Sequence, residues 1–228
     1  IAIDVDGAAP PATDQRGVTR DASADAGAYE KTNSAPVLDA SGTMTLTTIT
    51  EDETNNAGDL VSSLIASAGG DRITDADGDA EGIAITALAS GNGSWECSLD
   101  GGASWLTIGT VTNASALLLR STDRVRFVPN AADGTTASIT FRAWDRKVGT
   151  AGTKVSTASN GGSTAFSTAT ESAAITVTAI NDAPVIDLDA DDSSGSTDGN
   201  FAGVWVEGAG PKAVVGADAT AFDADNAN

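Results

Sequence analysis

The side chains of this sequence that are best suited to bind a ligand are carboxylates, several of which are regularly spaced. Asp75, Asp77 and Asp79 alternate with small residues, and Asp223 and Asp225 repeat that spacing near the C-terminus. Carboxylates two positions apart can bracket a cation from a loop, and calcium takes about six to eight oxygen ligands, whereas magnesium tends to keep its waters. The spacing therefore predicts two calcium-binding loops. The alternative is solvated turn aspartates, which turn a chain without metal, and for Asp79 both interpretations stay open.

The charge balance and the absence of histidine make some classes of function unexpected for this sequence. The 228 residues carry a formal net charge of −20, from 32 acidic and 12 basic residues. This surplus would repel a phosphate backbone, so we expect no nucleic-acid partner; it indicates either solubility through self-repulsion or neutralisation by cations. The sequence has no histidine, the commonest general base, and its single cysteine, Cys97, fits a small apolar strand position. We therefore expect no enzyme.

The elements that must position these carboxylates are short β-strands. Between residues 33 and 182, apolar and polar residues alternate in several runs, as in Arg124-Val125-Arg126-Phe127. Such alternation puts one face of a strand on a core and the other in water. Turn residues separate the runs, and the most helix-like stretch, Asp59 to Ile65, suffices for a turn or two. The pattern predicts an all-β sandwich. The basic residues concentrated between Arg120 and Lys154 are expected to line a solvent-facing sheet surface and to balance nearby carboxylates rather than bind an anion; they include Arg124, Arg126, Arg142, Arg146 and Lys147.

Two tryptophans flank a turn signal in the middle of this region. Trp95 and Trp105 lie on either side of Asp100-Gly101-Gly102, where glycine supplies the positive φ that a tight turn demands. This arrangement predicts a protruding β-hairpin. The two indoles could form a carbohydrate-stacking platform, while the alternative is cross-strand packing in a domain with few aromatic residues.

An internal repeat gives the chain its organisation. Residues 33–39, Asn-Ser-Ala-Pro-Val-Leu-Asp, recur at 181–187 as Asn-Asp-Ala-Pro-Val-Ile-Asp. An acidic element follows each copy, at 50–53 and at 206–208, and an Asp-x-Asp follows each acidic element. The proline forces an extended backbone, which suits a linker that enters an edge strand. The same order of signals twice predicts two copies of one structural unit.

These signals resemble the cadherin-like repeat of large bacterial surface adhesins. The family pattern is a glutamate near the first strand, an Asp-x-Asp in mid-domain, a late Ala-x-Asp, and an Asn-Asp with a following proline at the exit. In this chain Glu51 or Glu53, Asp75-Ala76-Asp77, Ala143-Trp144-Asp145 and Asn181 to Pro184 stand in those places. The resemblance covers residues 33–182 whole and the first part of a second copy.

The resemblance implies calcium ions shared across the joints between repeats. The expected ligands are Glu30, Asn33, Glu51, Glu53, Asp75, Asp77, Asp79, Asp145, Asn181, Asp182, Glu207, Asp223 and Asp225. For Asp187, Asp189 and Asp191 the metal and solvated-turn interpretations both stay open. Ser34 departs from the family pattern, since the second copy has Asp182 at its place, and this would weaken the first joint.

Three regions are expected along the chain. Residues 1–32 resemble the closing segment of secreted right-handed parallel β-helix domains, on Thr13 to Gly17 and Ala24 to Glu30; the alternative is a linker whose Arg16 and Arg20 pair with nearby aspartates. Residues 33–182 are predicted to form an Ig/cadherin-like β-sandwich, and residues 183–228 to begin a second, incomplete repeat. The first residues lack a basic region and a cleavage site, so we expect the middle of a longer chain.

The predicted function is that of a calcium-stabilised structural or adhesive spacer repeat in a large secreted or cell-surface bacterial protein. The alternatives are a carbohydrate-binding module and an accessory segment of a secreted polysaccharide-acting enzyme. The expected partners are calcium ions, with cell-surface or matrix glycans or further copies of the same protein as additional candidates. No apolar run reaches the roughly 18 residues that a membrane helix needs, so we expect no membrane span in this segment.

Overall fold

The computed structural model describes Thr13, Arg16, Gly17 and residues 32–197, 199–204, 206–208, 210–212 and 214–223. Almost all of the segment expected to close a β-helix, residues 1–32, lies outside the described residues. The same holds for two expected calcium ligands, Glu30 and Asp225. The region predicted to form the sandwich, residues 33–182, is described throughout.

The described chain is all-β apart from one short helix, α1, at Val61–Ala66. The strands are β1 Val37–Leu38, β2 Met44–Thr45, β3 Ile49–Thr50, β4 Asp59–Leu60, β5 Ile73–Thr74, β6 Gly82–Ala89, β7 Gly93–Ser98, β8 Leu106–Thr107, β9 Ala116–Arg120, β10 Arg124–Pro129, β11 Thr135–Trp144, β12 Lys154–Val155, β13 Glu171–Thr178, β14 Val185–Asp187 and β15 Thr220–Phe222. The predicted all-β class is therefore confirmed.

Two larger sheets make up the body of the fold. The seven-stranded sheet has the order β12-β9-β6-β11-β13-β2, with β3 also on β13, and the four-stranded sheet has the order β4-β10-β7-β8. Most pairs are antiparallel, but β2 and β3 both run parallel to β13. Two early strands and the last strand of the sandwich region therefore lie side by side and point the same way.

Both sheets contribute to one hydrophobic core, as in a β-sandwich. From the four-stranded sheet, Trp95 and Phe127 pack edge to face with ring centroids 5.1 Å apart, and Val125 lies beside them in the same cluster. From the seven-stranded sheet, Ile85 and Phe141 are fully buried. Burying a side chain of this size contributes about 1.5–3 kcal/mol, so the alternating strands are stabilised mainly by their inner faces.

The outer face of the four-stranded sheet carries the arginines predicted there. In β10 the inward residues Val125 and Phe127 are fully buried, while Arg124 and Arg126 are half-buried on the opposite face. Arg126 pairs with Glu96 at 2.8 Å, as expected for a balanced charge. Arg124 instead donates to the carbonyl oxygens of residues 57 and 58.

The predicted hairpin is present, but its two tryptophans lie in different environments. β7 pairs with β8 through Cys97 and Leu106, and Gly101 in the connecting turn has a φ of 79°. Trp95 is buried in the core, whereas the Arg126 guanidinium lies 4.1 Å from the ring centroid of Trp105. The two indoles therefore form no exposed platform, and the alternative interpretation, cross-strand packing, holds for Trp95, which lies opposite Phe127 of β10.

The helix α1 agrees with the turn or two expected around residues 59–65. Val61, Leu64 and Ile65 are its buried residues, at the three- and four-residue spacing of a helix face. No helix among the described residues has the length and apolar character needed to cross a membrane.

The second copy of the repeat forms a two-stranded ribbon in the same register as the first. Val37 pairs with Thr74 in the first copy, and Val185 pairs with Phe222 in the second. Each residue of the second pair stands 148 positions after its counterpart in the first pair. The copies differ in burial, because Leu38 is 4% exposed and its counterpart Ile186 is 62% exposed. The ribbon of the second copy thus pairs like the first but, within the described residues, has no comparable core beneath it.

Candidate metal centre

Three aspartates converge at one end of the sandwich, which we call the Asn33 end. Asp75 and Asp79 lie in the loop after β5, and Asp145 directly follows β11. One carboxylate oxygen from each lies within 4.8 Å of the others. Asp145 is only 3% exposed, so the cluster reaches into the protein rather than lying on its surface.

The loop after β5 wraps around the carboxylate of Asp75. The backbone N–H of Asp77 donates to Asp75 Oδ1 at 2.7 Å, and that of Asp79 lies 3.5 Å from the same oxygen. Gly78 has a φ of 73° and its N–H donates to the carbonyl oxygen of Asp75. Glycine adopts this left-handed conformation at no steric cost, so the sequence Asp-x-Asp-Gly-Asp closes a tight acidic turn.

The linker before β1 is hydrogen-bonded to this cluster. Asn33 Nδ2 donates to Asp145 Oδ2 at 2.8 Å and to the carbonyl oxygen of Thr164 at 3.2 Å. The backbone N–H of Ser34 donates to Asp77 Oδ2 at 2.5 Å. Residues from the linker, from the loop after β5 and from the end of β11 therefore meet at one point.

Three oxygens at this point are buried without a hydrogen-bond partner among the described residues: Asn33 Oδ1, Asp75 Oδ2 and Asp79 Oδ2. An unpaired buried acceptor costs about 1–3 kcal/mol, and a charged one costs more. Carboxylates about 4 Å apart also repel one another by about 4 kcal/mol at an effective dielectric near 20. A cation with oxygen ligands would relieve both costs, so the residues fit calcium.

The local electrostatics are dominated by negative charge. Burial, followed by the charge of Asp71 and then of Asp75, raises the pKa of Glu81 above its ordinary value. Lys147 supplies a positive charge, with its Nζ 2.8 Å from Asp79 Oδ1, and its backbone N–H donates to Asp145 Oδ1 at 2.9 Å. A single half-exposed lysine leaves the three aspartates short of positive charge.

Glu51 is a second buried carboxylate with an unpaired oxygen, and it lies at the other end of the sandwich. Its Oε1 accepts from the backbone N–H of Ile180 at 2.6 Å, while Oε2 is buried without a hydrogen-bond partner in the described chain. Glu53, the neighbouring expected ligand, accepts from the N–H of Thr50 through Oε2 at 2.7 Å. We call this the Ile180 end.

Asp189, Asp191 and Asp218 form a second acidic cluster, within 4.8 Å of one another. Asp189 is buried, but both of its oxygens have partners: Ser194 N–H donates to Oδ2 at 2.8 Å and Ser193 Oγ to Oδ1 at 3.1 Å. Hydrogen bonds from Ser194 lower the pKa of Asp189, against the opposing effect of burial. Its hydrogen bonds already satisfy Asp189, so the cluster resembles a turn closed by side chains.

The structure brings together some of the sequence-predicted ligands and not others. Asn33, Asp75, Asp79 and Asp145 meet directly, and Asp77 joins them through Ser34. The two acidic clusters found among the described residues include none of Asp182, Glu207 and Asp223, and the side chain of Asn181 donates to its neighbour's carbonyl oxygen. Sequence analysis missed Glu81 and Asp218, neither of which belongs to an Asp-x-Asp pattern. It expected Lys147 to balance a nearby carboxylate, and the structure pairs it with Asp79.

Chemically, the Asn33 end can bind and orient a cation, since its groups are hard oxygen donors. Comparison with protein-family models, with curated proteins and with solved structures finds no match to this chain. The interpretation of the site therefore depends on its own geometry.

Proposed function

We propose that residues 33–182 form a cadherin-like structural repeat that binds calcium at its Asn33 end. The protein would then act as a spacer in a secreted or cell-surface molecule, and the cation would fix the linker before β1 to the body of the domain. Asn33, Asp75, Asp79 and Asp145 would hold it, with Asp77 anchoring the linker through Ser34.

The observation that carries the proposal is the group of three buried, unpaired oxygens at the Asn33 end. Hydrogen bonds within the loop account for one oxygen of Asp75 but leave the other with no donor among the described residues. Calcium accepts variable coordination by carboxylates and amide oxygens, whereas magnesium requires near-ideal octahedral geometry and keeps its waters. The mixture of carboxylate and amide oxygens therefore favours calcium.

A second cation at the Ile180 end is part of the same proposal. Glu51 is fully buried with one oxygen unpaired among the described residues, and it contacts the segment that leads into the second copy of the repeat. A cation there, shared with the residues that follow Ile180, would stiffen the joint between the two copies.

Calcium titration of the protein by isothermal calorimetry tests the first site. The double variant Asp75→Asn with Asp79→Asn should lose the tightest binding event, because it removes two carboxylates and leaves the fold of the loop largely intact. Asp133→Asn is the matched control, because Asp133 precedes β11 whereas Asp145 follows it. The ten residues of β11 span about 33 Å, so the two aspartates lie at opposite ends of that strand. Unchanged calcium binding in the double variant would overturn the proposal, as would no heat of binding in the unaltered protein.

The carbohydrate-binding alternative receives no comparable support. A stacking platform needs exposed indole faces, but Trp95 is buried and Trp105 is covered on one face by Arg126.

A further inference from the structure

A cleft opens at one corner of the sandwich, where the chain crosses from the four-stranded sheet to the seven-stranded sheet between β8 and β9. Its volume is about 360 Å³. One wall consists of Leu88, Ser90 and the start of β7, and the other consists of Thr107 and residues 109–111. Leu88 lies opposite Ile139, near the start of β11, so the cleft is separate from the Asn33 end. Because ligand pockets have volumes from about 300 Å³ upwards, this cleft is large enough for a short segment of peptide.

Within the described chain, the seven-stranded sheet lacks a neighbouring strand at this corner. Strand β6 pairs with β11 as far as Ala89, whereas β9 pairs with β6 only at residues 82–85. Thr112 and Ser115 form a tight turn by exchanging backbone hydrogen bonds, so β9 begins directly after this turn and does not extend along the rest of β6. Residues 86–89 therefore have a strand on one side only.

The walls of the cleft are fixed by the core and by hydrogen bonds. Ile108 and Val111 are buried in the core, and the Ile108 N–H donates to the carbonyl oxygen of Trp95 at 3.0 Å. On the opposite wall, Trp95 Nε1 donates to the carbonyl oxygen of Ala89 at 3.1 Å. A preformed site loses little conformational freedom on binding, so a short ligand can bind without rearrangement of the walls.

An unpaired strand edge beside a cleft favours one kind of ligand. The N–H and C=O groups of such an edge are a template for a further strand. Extended peptides bind in this way, because main-chain hydrogen bonds supply affinity while alternate side chains enter pockets. A peptide strand added beside residues 86–89 would direct side chains into the cleft. The backbone of β6 and the cleft therefore fit an extended peptide.

The charge around the cleft selects the kind of peptide. None of the lining residues carries a carboxylate, although the chain has 32 acidic residues. Lys154 Nζ donates to the carbonyl oxygens of Ile108 at 2.8 Å and Thr110 at 2.6 Å, and a Cβ at Gly109 would lie 3.9 Å from this nitrogen. An ammonium has three N–H donors, and Lys154 forms no ion pair with a described residue. The cleft therefore offers a positively charged donor to a carboxylate.

We propose that this cleft binds an extended peptide that carries a carboxylate. The peptide adds as a strand beside residues 86–89 of β6, and its carboxylate pairs with Lys154. The inference goes beyond the calcium-binding spacer and does not rest on it, because the lining of the cleft includes none of the residues that meet at the Asn33 end.

Amide chemical shifts of the isotope-labelled protein test the proposal in titrations with two blocked pentapeptides. The probe is acetyl-Thr-Val-Asp-Val-Thr-amide, in which β-branched residues favour an extended chain and the aspartate supplies the carboxylate. The matched control peptide has lysine in place of the aspartate. Each titration is run in calcium and in chelator, and the same result is expected in both, so failure of the calcium proposal leaves this test interpretable.

The aspartate peptide should shift the amide signals of residues 86–89 and 107–111. It should also bind several-fold more tightly than the lysine peptide, because only the aspartate can pair with Lys154. Absence of shifts at these residues would overturn the proposal, as would equal affinity for the two peptides.

Two matched pairs of variants locate the binding site. Lys154→Met should weaken binding of the aspartate peptide up to about fivefold, as expected for one exposed ion pair, while Lys212→Met removes the same charge from an exposed position in the second copy and should have no effect. Thr110→Trp fills the cleft and should abolish binding, whereas Thr112→Trp places the same side chain at an exposed position outside the lining. The amide spectrum of each variant shows that the protein is folded. If the two lysine variants bind equally, or if Thr110→Trp keeps the affinity, the peptide does not occupy the cleft and the proposal is wrong.

Discussion

At the scale of single residues, Lys147 acts as a built-in counter-ion of the acidic cluster. Its ammonium lies 2.8 Å from Asp79 Oδ1, and its side chain is 53% exposed. A cation that binds the cluster must share Asp79 with this ammonium or displace it. Exposed ion pairs are worth about 0–1 kcal/mol, so the competition is real but small.

We therefore predict that Lys147→Met tightens calcium binding up to about fivefold, the factor that corresponds to about 1 kcal/mol. Calorimetric titration measures it, and the gain should shrink at high salt because the ion pair is screened. Arg146→Met removes the same charge one residue away and is the control. If the two variants bind calcium equally, calcium affinity depends only on the net charge near the site, and direct competition between Lys147 and the cation is ruled out.

At the scale of elements, the β1–β5 ribbon has a charged link at its edge. Arg72 Nη1 lies 2.6 Å from Asp39 Oδ2, and the Asp39 N–H donates to the Arg72 carbonyl oxygen at 2.8 Å. Hydrogen bonds from Ser41, followed by that from Arg72, lower the pKa of Asp39 from 3.8 to about 2. Folding therefore favours the ionised form of this carboxyl.

This shift predicts a pH window for the stabilisation. Because the folded-state pKa is depressed, the contribution of Asp39 is fully present above its unfolded pKa of 3.8 and is lost as pH falls through about 2. Asp39→Asn should thus be less stable than the unaltered protein at pH 6, with the difference vanishing towards pH 2. Urea unfolding at several pH values measures it, with the exposed Asp52→Asn as control. A difference independent of pH would contradict the prediction.

The strand pattern was predictable from sequence because alternation follows directly from the pleat. β10 shows this, with Val125 and Phe127 inward and both arginines outward. The Asp-x-Asp loop and Asp145 could be proposed as ligands, but their meeting depends on contacts between residues about 70 positions apart, which spacing alone does not fix. The sequence predicts that Lys147 balances a nearby carboxylate, but it does not identify that carboxylate as Asp79, which Lys147 reaches after Arg146 adopts a φ of 66°. The sequence leaves both interpretations of the tryptophans open, because the hairpin alone does not show which of its faces lies on the core. The structure favours packing for Trp95, which lies opposite Phe127.

The β14–β15 ribbon gives a further prediction about elements. Val185, Ile186 and Phe222 are all more than half exposed, and an isolated two-stranded hairpin is marginally stable in water. Its backbone amides should therefore exchange with solvent far faster than those of β11 and β13, which lie inside the large sheet. Hydrogen exchange followed by mass spectrometry measures this. Equal protection of the ribbon and the large sheet would indicate that the ribbon is covered in solution.

At the scale of the whole molecule, the ends of the sandwich differ from its middle. The middle is a continuous apolar core, whereas unpaired buried oxygens occur at the Asn33 end and at Glu51. Strand β11 runs between the two ends, because Asp145 follows its last residue and Thr135, at its start, pairs with Val177 near the Ile180 end. The core can therefore hold the fold, while the cations that we propose for the ends would control how the chain enters and leaves it.

This division predicts that calcium affects stability modestly. Extracellular calcium modules bind with dissociation constants of about 0.1–1 mM, and a ligand at tenfold excess over its dissociation constant stabilises by about 1.4 kcal/mol. In a domain of this size about 1 kcal/mol moves the melting temperature by about 2–4 °C, so chelation should lower it by about 3–6 °C for one site. Asp145→Asn should remove the part of that calcium-dependent difference that comes from the Asn33 end, because it removes the most buried carboxylate of the cluster, while Asp133→Asn should keep it. Differential scanning calorimetry in calcium and in chelator decides the matter: identical melting temperatures in the unaltered protein would mean that the buried oxygens at the Asn33 end are satisfied by water rather than by a cation.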